Sequence, residues 1–171
     1  NNTVKINSAI ISPISDYAFK YYRYKLEGVF YDDRGNLINK IKVIPRRQND
    51  PVFSGSVYIV EDQWSLFGLE LQVKGSQIQT PIADSITIKQ NLTYDENEDH
   101  WVIRSQTIGF KFRFLGFNGD GSFVANYSDY TLNPMFEKDE FSNEILAFEG
   151  EANKKDSKYW NKLRPVPLTD E

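Results

Sequence analysis

The chain has no cysteine, one histidine and one methionine. Without thiols there are no disulfides and no thiolate metal sites, and the redox compartment is left open. A single imidazole cannot supply the pair that histidine-rich zinc sites use, so no metal and no cofactor is expected. No apolar run approaches the ~18 residues that a membrane-spanning helix needs. A basic surplus is also missing. Lysine and arginine number 20 against 24 aspartate and glutamate, mixed along the chain to a net charge of −4. A general nucleic-acid binder presents a basic face, so no nucleic-acid partner is expected. The chain opens Asn1-Asn2, with neither methionine nor a signal sequence. That predicts a piece of a larger precursor whose targeting segment lies elsewhere. There is no internal repeat and no low-complexity tract.

What is present is aromatic and β-branched. Aromatic residues make up 15% of the 171 residues, a share that favours strands over helices. The stretch from Ile38 to Val73 carries the pattern most densely. Ile41 and Val43 alternate with Lys40 and Lys42, which marks a strand with one wet face. Pro45 suits a strand end, because it has no N–H for a ladder. Gly55 to Glu61 reads as the next strand. Trp64 to Lys74 follows, with Phe67, Leu69, Leu71 and Val73 on one side. Turns this short join only antiparallel neighbours.

The flanks repeat this design. Phe19 to Tyr31 reads as one long strand, with Tyr22, Tyr24, Leu26 and Phe30 sharing a face. Asp32 to Asn36 then makes a hairpin turn. Ser85 to Tyr94 alternates cleanly. In Trp101 to Phe117 the phase shifts: Trp101 and Ile103 are odd-numbered, whereas Ile108, Phe110, Phe112 and Phe114 are even-numbered. A strand changes face only by inserting a residue, which predicts a β-bulge or break between Arg104 and Thr107. Asn118 to Gly121 reads as a hairpin turn, with a return strand over Ser122 to Leu132. Glu144 to Phe148 fits a last strand or a helix start. Glu151 to Leu163 reads as helix, stopped by Pro165. Arg164 to Glu171 is Pro-rich and reads as a linker. The expected fold is mainly β: a curved, half-barrel-like antiparallel sheet of about seven or eight long strands plus a C-terminal helix. Residues 1–150 would form the β domain, and residues 151–171 the helix and extended linker.

Three stretches carry a resemblance over nearly the whole chain: SPISDYAFKYYRYKLEG, INKIKVIPRRQNDPVFSGSVYIVEDQWSLFGLEL and EANKKDSKYWNKLRPVPLTDE. They resemble a family of large outer-membrane-associated proteins from Bacteroidota. In that family a carboxypeptidase-regulatory-like sandwich precedes a region like this one, and a C-terminal β-barrel follows it. Asp50 to Gly55 and Trp160 to Thr169 are the most specific matches. The resemblance implies a periplasmic, outer-membrane-associated module whose partners are neighbouring domains of the same polypeptide. It brings no catalytic residue. More remotely, the middle region resembles the half-barrel of periplasmic lipoprotein carriers, which implies lipid or lipoprotein on an apolar concavity. The chain departs from that pattern by offering one helix where the carriers have several.

Individual residues add little chemistry. His100 stands alone beside a charged turn, with no nucleophile motif near it. The acidic turn from Asp95 to Asp99, and the Asn118–Gly121 turn, lack the spacing of a dedicated calcium loop. Arg46 and Arg47, with Lys40 and Lys42 upstream, could meet lipid headgroups or an acidic partner. No enzyme is expected. The reading is a binding or scaffolding module, with lipid binding on the concave face as the alternative. Its candidate contact residues are Trp64, Phe67, Leu69, Phe110, Phe112, Phe114, Tyr159 and Trp160.

Overall fold

A computed structural model describes residues 10–80, 82–136, 150 and 154–163. The chain divides into two compact units, residues 1–130 and 131–171. In the first unit, seven strands form one open sheet in the order of the sequence. They are β1 (Tyr22–Tyr31), β2 (Leu37–Pro45), β3 (Ser54–Val60), β4 (Leu66–Lys74), β5 (Ala83–Asp95), β6 (His100–Phe114) and β7 (Phe117–Asn126). Every neighbouring pair is antiparallel. The mainly β, antiparallel reading holds.

The sheet has two chemically distinct faces. One carries Tyr22, Tyr24, Ile41, Val43, Val57, Leu71, Ile86, Ile88, Ile108 and Phe110, matched strand to strand by the register. The main core lies here. Ala18, Tyr22, Val43, Val52, Val57 and Leu71 are buried together, with Ile11, Tyr24, Ile41 and Leu69 packed against them. The N-terminal segment is fixed over this core by hydrogen bonds. The Tyr22 hydroxyl donates to the Ile11 carbonyl and accepts from Phe53 N–H at 3.0 Å. The Tyr24 hydroxyl donates to the Pro13 carbonyl at 2.7 Å.

The first strand is shorter than its alternation suggests. Ala18–Tyr21 is a one-turn helix, α1, and the strand starts at Tyr22. Arg46 holds this junction: its Nε donates to the carbonyls of Phe19 and Tyr22, both at 3.0 Å. Arg46 is therefore a clamp on α1 and not part of a patch with Lys40 and Lys42.

Bulges decide several faces. Register shifts leave one extra residue at Glu27 in β1, Phe67 in β4, Asp84 in β5 and Arg104 in β6. The shift at Arg104 answers the phase change read from the sequence. The others overturn two assignments. Beyond Glu27, Phe30 pairs with Ile38 on the lysine face and leaves the face of Tyr22 and Tyr24. Beyond Phe67, Leu66 pairs with Ile59, whereas Gly68 pairs with Tyr58. Phe67 therefore joins Phe30 instead of Leu69 and Leu71, its ring 6.1 Å from that of Phe30. Ile38, on the same face as Lys40 and Lys42, is fully buried beside Val60.

The turn between β6 and β7 also differs from expectation. It is Leu115-Gly116, at φ 47° and 85°, with Phe114 paired to Phe117. Two residues at positive φ match the twist of a tight hairpin. Asn118 to Gly121 lie inside β7, and the strand ends at Asn126. Their glycines have another role: Gly119 pairs with Phe112 and Gly121 with Phe110. A Cβ on Gly119 would come within 2.4 Å of the Phe112 ring, and one on Gly121 within 2.5 Å of the Phe110 ring. The rings lie across the space that the missing side chains leave.

In the second unit, helix α2 (Ser157–Leu163) begins later than Glu151. Asp156 sets the start, since its Oδ1 accepts from Tyr159 N–H at 2.8 Å, as an N-cap does. The readings over Glu144–Phe148 and Arg164–Glu171 lie outside the described residues.

Candidate functional site

An apolar recess, open among the described residues, is on the apolar face beside the N-terminal segment. Pro13, Ile14, Phe19, Tyr24, Ile41, Val57, Ile59 and Trp64 line a groove of about 390 Å³. That volume falls in the ~300–1,000 Å³ range of small-molecule sites. Trp64 is 80% exposed and sits in the β3–β4 turn at φ 57°. Its N–H donates to the Val60 carbonyl at 3.0 Å, which holds the turn. A left-handed tryptophan is an outlier that its surroundings must sustain. Here the turn presents a large ring at the mouth of the groove. Burial raises the Tyr22 phenol above its ordinary pKa, opposed by the bond from Phe53 N–H. Tyr24 is raised by burial and, secondarily, by Tyr22. Both phenols are therefore neutral donors at neutral pH.

A second apolar surface lies toward the β7 edge. Phe110, Phe112 and Phe114 are on the apolar face and each remains partly exposed. Phe110 and Phe112 stack at 6.4 Å. Phe117 and Phe123 on β7 are largely exposed on the same face.

The opposite face is polar. By register it carries Lys25, Lys40 and Lys42 on β1 and β2, then Ser54, Ser56 and Tyr58 on β3. Glu70 and Gln72 follow on β4, then Thr87 and Lys89 on β5, and Lys111 on β6. Glu27 bridges Lys40 at 3.5 Å and Lys42 at 4.0 Å. Among the described residues, a depression of about 460 Å³ is lined by sheet residues, including Lys40, Lys42, Ser54, Ser56, Tyr58, Glu70 and Thr87. An adjoining recess of about 160 Å³ shares Tyr58 and Glu70, and adds Phe30, Phe67 and Lys89. From there a chain of ring contacts runs through Phe67 and Trp101 to Tyr94, at 5.8 and 5.7 Å. Arg34 closes it, 5.0 Å over the Tyr94 ring and 3.0 Å from Glu96.

The residues singled out from the sequence are thus distributed over several surfaces. Trp64 lines the apolar groove. Leu69 packs against the main core. Phe67 is in the ring chain on the polar side. Phe110, Phe112 and Phe114 lie toward the β7 edge. Tyr159 and Trp160 are in the second unit, edge to face at 5.4 Å. Sequence reading missed Ile14, Phe19, Ile41 and Ile59 as groove walls. Ile14 belongs to a stretch without periodicity, so no pattern could have placed it, and Phe19 was read as the start of the first strand when it lies in α1. The small residues Ser54-Gly55-Ser56 under the polar depression were a visible signal that strand reading passes over.

His100 is exposed, its Nδ1 2.7 Å from the Glu98 carbonyl. Among the described residues, no group of three or more histidine, aspartate or glutamate side chains is placed to hold a metal ion. No helix among them is long and apolar enough to cross a membrane. The model of a family of unknown function (DUF5686) matches residues 1–130, the span of the first unit. No curated protein and no solved structure matches the chain.

Proposed function

This chain belongs to the family of unknown function DUF5686, and we propose that it is a non-enzymatic binding and scaffolding module of an outer-membrane protein. The observation that carries this is the apolar groove of about 390 Å³ beside Trp64, open among the described residues. Exposed apolar recesses of this kind mark interaction sites on proteins. The strained backbone at Trp64 supports the same reading. A turn relieved of function would favour glycine at φ 57°. The resemblance to large outer-membrane-associated proteins of Bacteroidota supplies the setting: the periplasm, between an N-terminal sandwich and a C-terminal barrel. In that setting the groove receives a neighbouring domain of the same polypeptide.

Hydrogen exchange tests this, comparing the chain alone with the chain extended by its flanking domains. The expected result is added protection over Pro13–Phe19 and the turn at Trp64. Identical exchange in both forms would refute docking at the groove.

A second reading is favoured by the apolar lining itself: the groove holds an acyl chain. Native mass spectrometry with organic extraction of the same sample separates the two. A fatty acid or phospholipid at near-unit occupancy supports lipid binding, and a clean apo mass supports scaffolding.

A further inference from the structure

We propose that the polar face carries a second, independent binding site, for a carboxylate-bearing oligosaccharide, in the trough over Ser54-Gly55-Ser56. Three observations converge on that class of ligand.

The first is shape. The depression of about 460 Å³ continues past Tyr58 and Glu70 into the recess of about 160 Å³. An elongated ligand of more than one unit fits such a trough better than a single compact ion does. Small side chains on β3 make the floor, and Gly55 cannot be enlarged: a Cβ there would lie 2.1 Å from the Glu70 carbonyl oxygen.

The second is the mixture of hydrogen-bonding groups. Lys40 and Lys42 only donate, Glu70 only accepts, and Ser54, Ser56 and Thr87 do both. Sugar hydroxyls donate and accept at every position, so they satisfy the whole set. Tyr58, Phe30 and Phe67 at one end offer rings to the C–H face of a pyranose. Phe30 meets Tyr58 edge to face at 6.2 Å, so the rings cluster at that end of the trough.

The third is charge. Lys40, Lys42 and Lys89 stand against Glu27 and Glu70 around the trough. The surplus is one positive charge, on a chain whose net charge is −4. That matches a monoanionic carboxylate better than a dianionic phosphate. Glu27 holds both ammonium groups from one side, so they are oriented before a ligand arrives.

Isothermal titration calorimetry on the full 171-residue chain tests the proposal. The probes are a gluco-oligosaccharide ending in a single uronate, the neutral gluco-oligosaccharide of the same length, inorganic phosphate and phosphatidylglycerol vesicles. The uronate oligosaccharide is expected to bind, more weakly as salt rises, and the other three to bind at least about tenfold more weakly. Replacing Lys40→Gln and Lys42→Gln together should weaken uronate binding about tenfold. Ser54→Leu fills the trough without changing charge and should abolish it. Lys111→Gln, on the same face but outside the trough, should leave it unchanged. Absence of uronate binding to the wild type overturns the proposal. So does equal binding of phosphate or vesicles, equal loss with Lys111→Gln, or full binding by Ser54→Leu with native amide chemical shifts.

Discussion

Single residues set how tightly the first unit is held together. Tyr22 is the clearest case: fully buried, it accepts from Phe53 and donates to Ile11 through one hydroxyl. Tyr22→Phe leaves a carbonyl and an N–H without that partner, and should cost about 1–3 kcal/mol in urea unfolding. Tyr24→Phe removes only the bond to Pro13 and should cost about 1 kcal/mol. The glycines should rank by what faces them. Gly55 is at φ 146° with backbone 2.1 Å from a would-be Cβ, whereas Gly121 faces the end of a phenylalanine ring. Gly55→Ala should therefore destabilise by about 2–3 kcal/mol, and Gly121→Ala by less, since the Phe110 ring can swing. At Trp64 the expected sign is opposite. Trp64→Gly relieves a left-handed backbone worth about 1 kcal/mol while removing a wall of the groove. Stability should stay level or rise while docking or acyl-chain binding falls.

At the scale of elements, the bulges explain what could and could not be read in advance. Strand existence was legible because alternation is a local property, and it located all seven strands of the sheet. The insertion at Arg104 was legible too, because apolar residues on both sides of it revealed the change of phase. The bulges at Glu27 and Phe67 were hidden. Apolar residues occur on both faces near them, so the phase change left no mark. Two of the candidate contact residues, Phe67 and Leu69, were therefore placed on one surface when they lie on opposite ones. The Asn118–Gly121 turn was misplaced for a related reason. Glycine signals a turn by its freedom at positive φ, but in β7 it serves by having no side chain under a ring. The β1–β2 hairpin, by contrast, was both legible and chemically explicit. Asp32 Oδ1 accepts from the N–H groups of Arg34 at 3.0 Å and Asn36 at 2.7 Å. Desolvation is the largest single influence and raises the Asp32 carboxyl, but the bonds from Asn36 and Arg34 together outweigh it and hold the pKa below the usual carboxylate value. The stabilisation is then fully present above the unfolded-state value and is lost as pH falls through the lowered folded one. Asp32→Ala should flatten that acidic limb of the stability profile and leave Gly35, at φ 82°, in a looser turn.

For the first unit as a whole, the two faces divide the work between one side that holds the main core and one that is mostly polar, apart from the buried pair Ile38 and Val60. Packing is also unequal along the sheet. The cluster of Ala18, Tyr22, Val43, Val52, Val57 and Leu71 draws on the N-terminal segment and the first four strands. The last hairpin leaves Phe110, Phe114, Phe117 and Phe123 partly in solvent. Native-state hydrogen exchange should find β2 and β3 opening only near the global unfolding free energy, and β6–β7 opening at lower cost. Equal protection in both would contradict the burial pattern. The strand order has a kinetic meaning as well. Each strand pairs with the one made just before it, so contact order is low for an all-β sheet and loop closure is never delayed by a distant partner. A chain emerging from a ribosome or a translocation pore, N-terminus first, would have its best-buried strands zipped before β5 appeared.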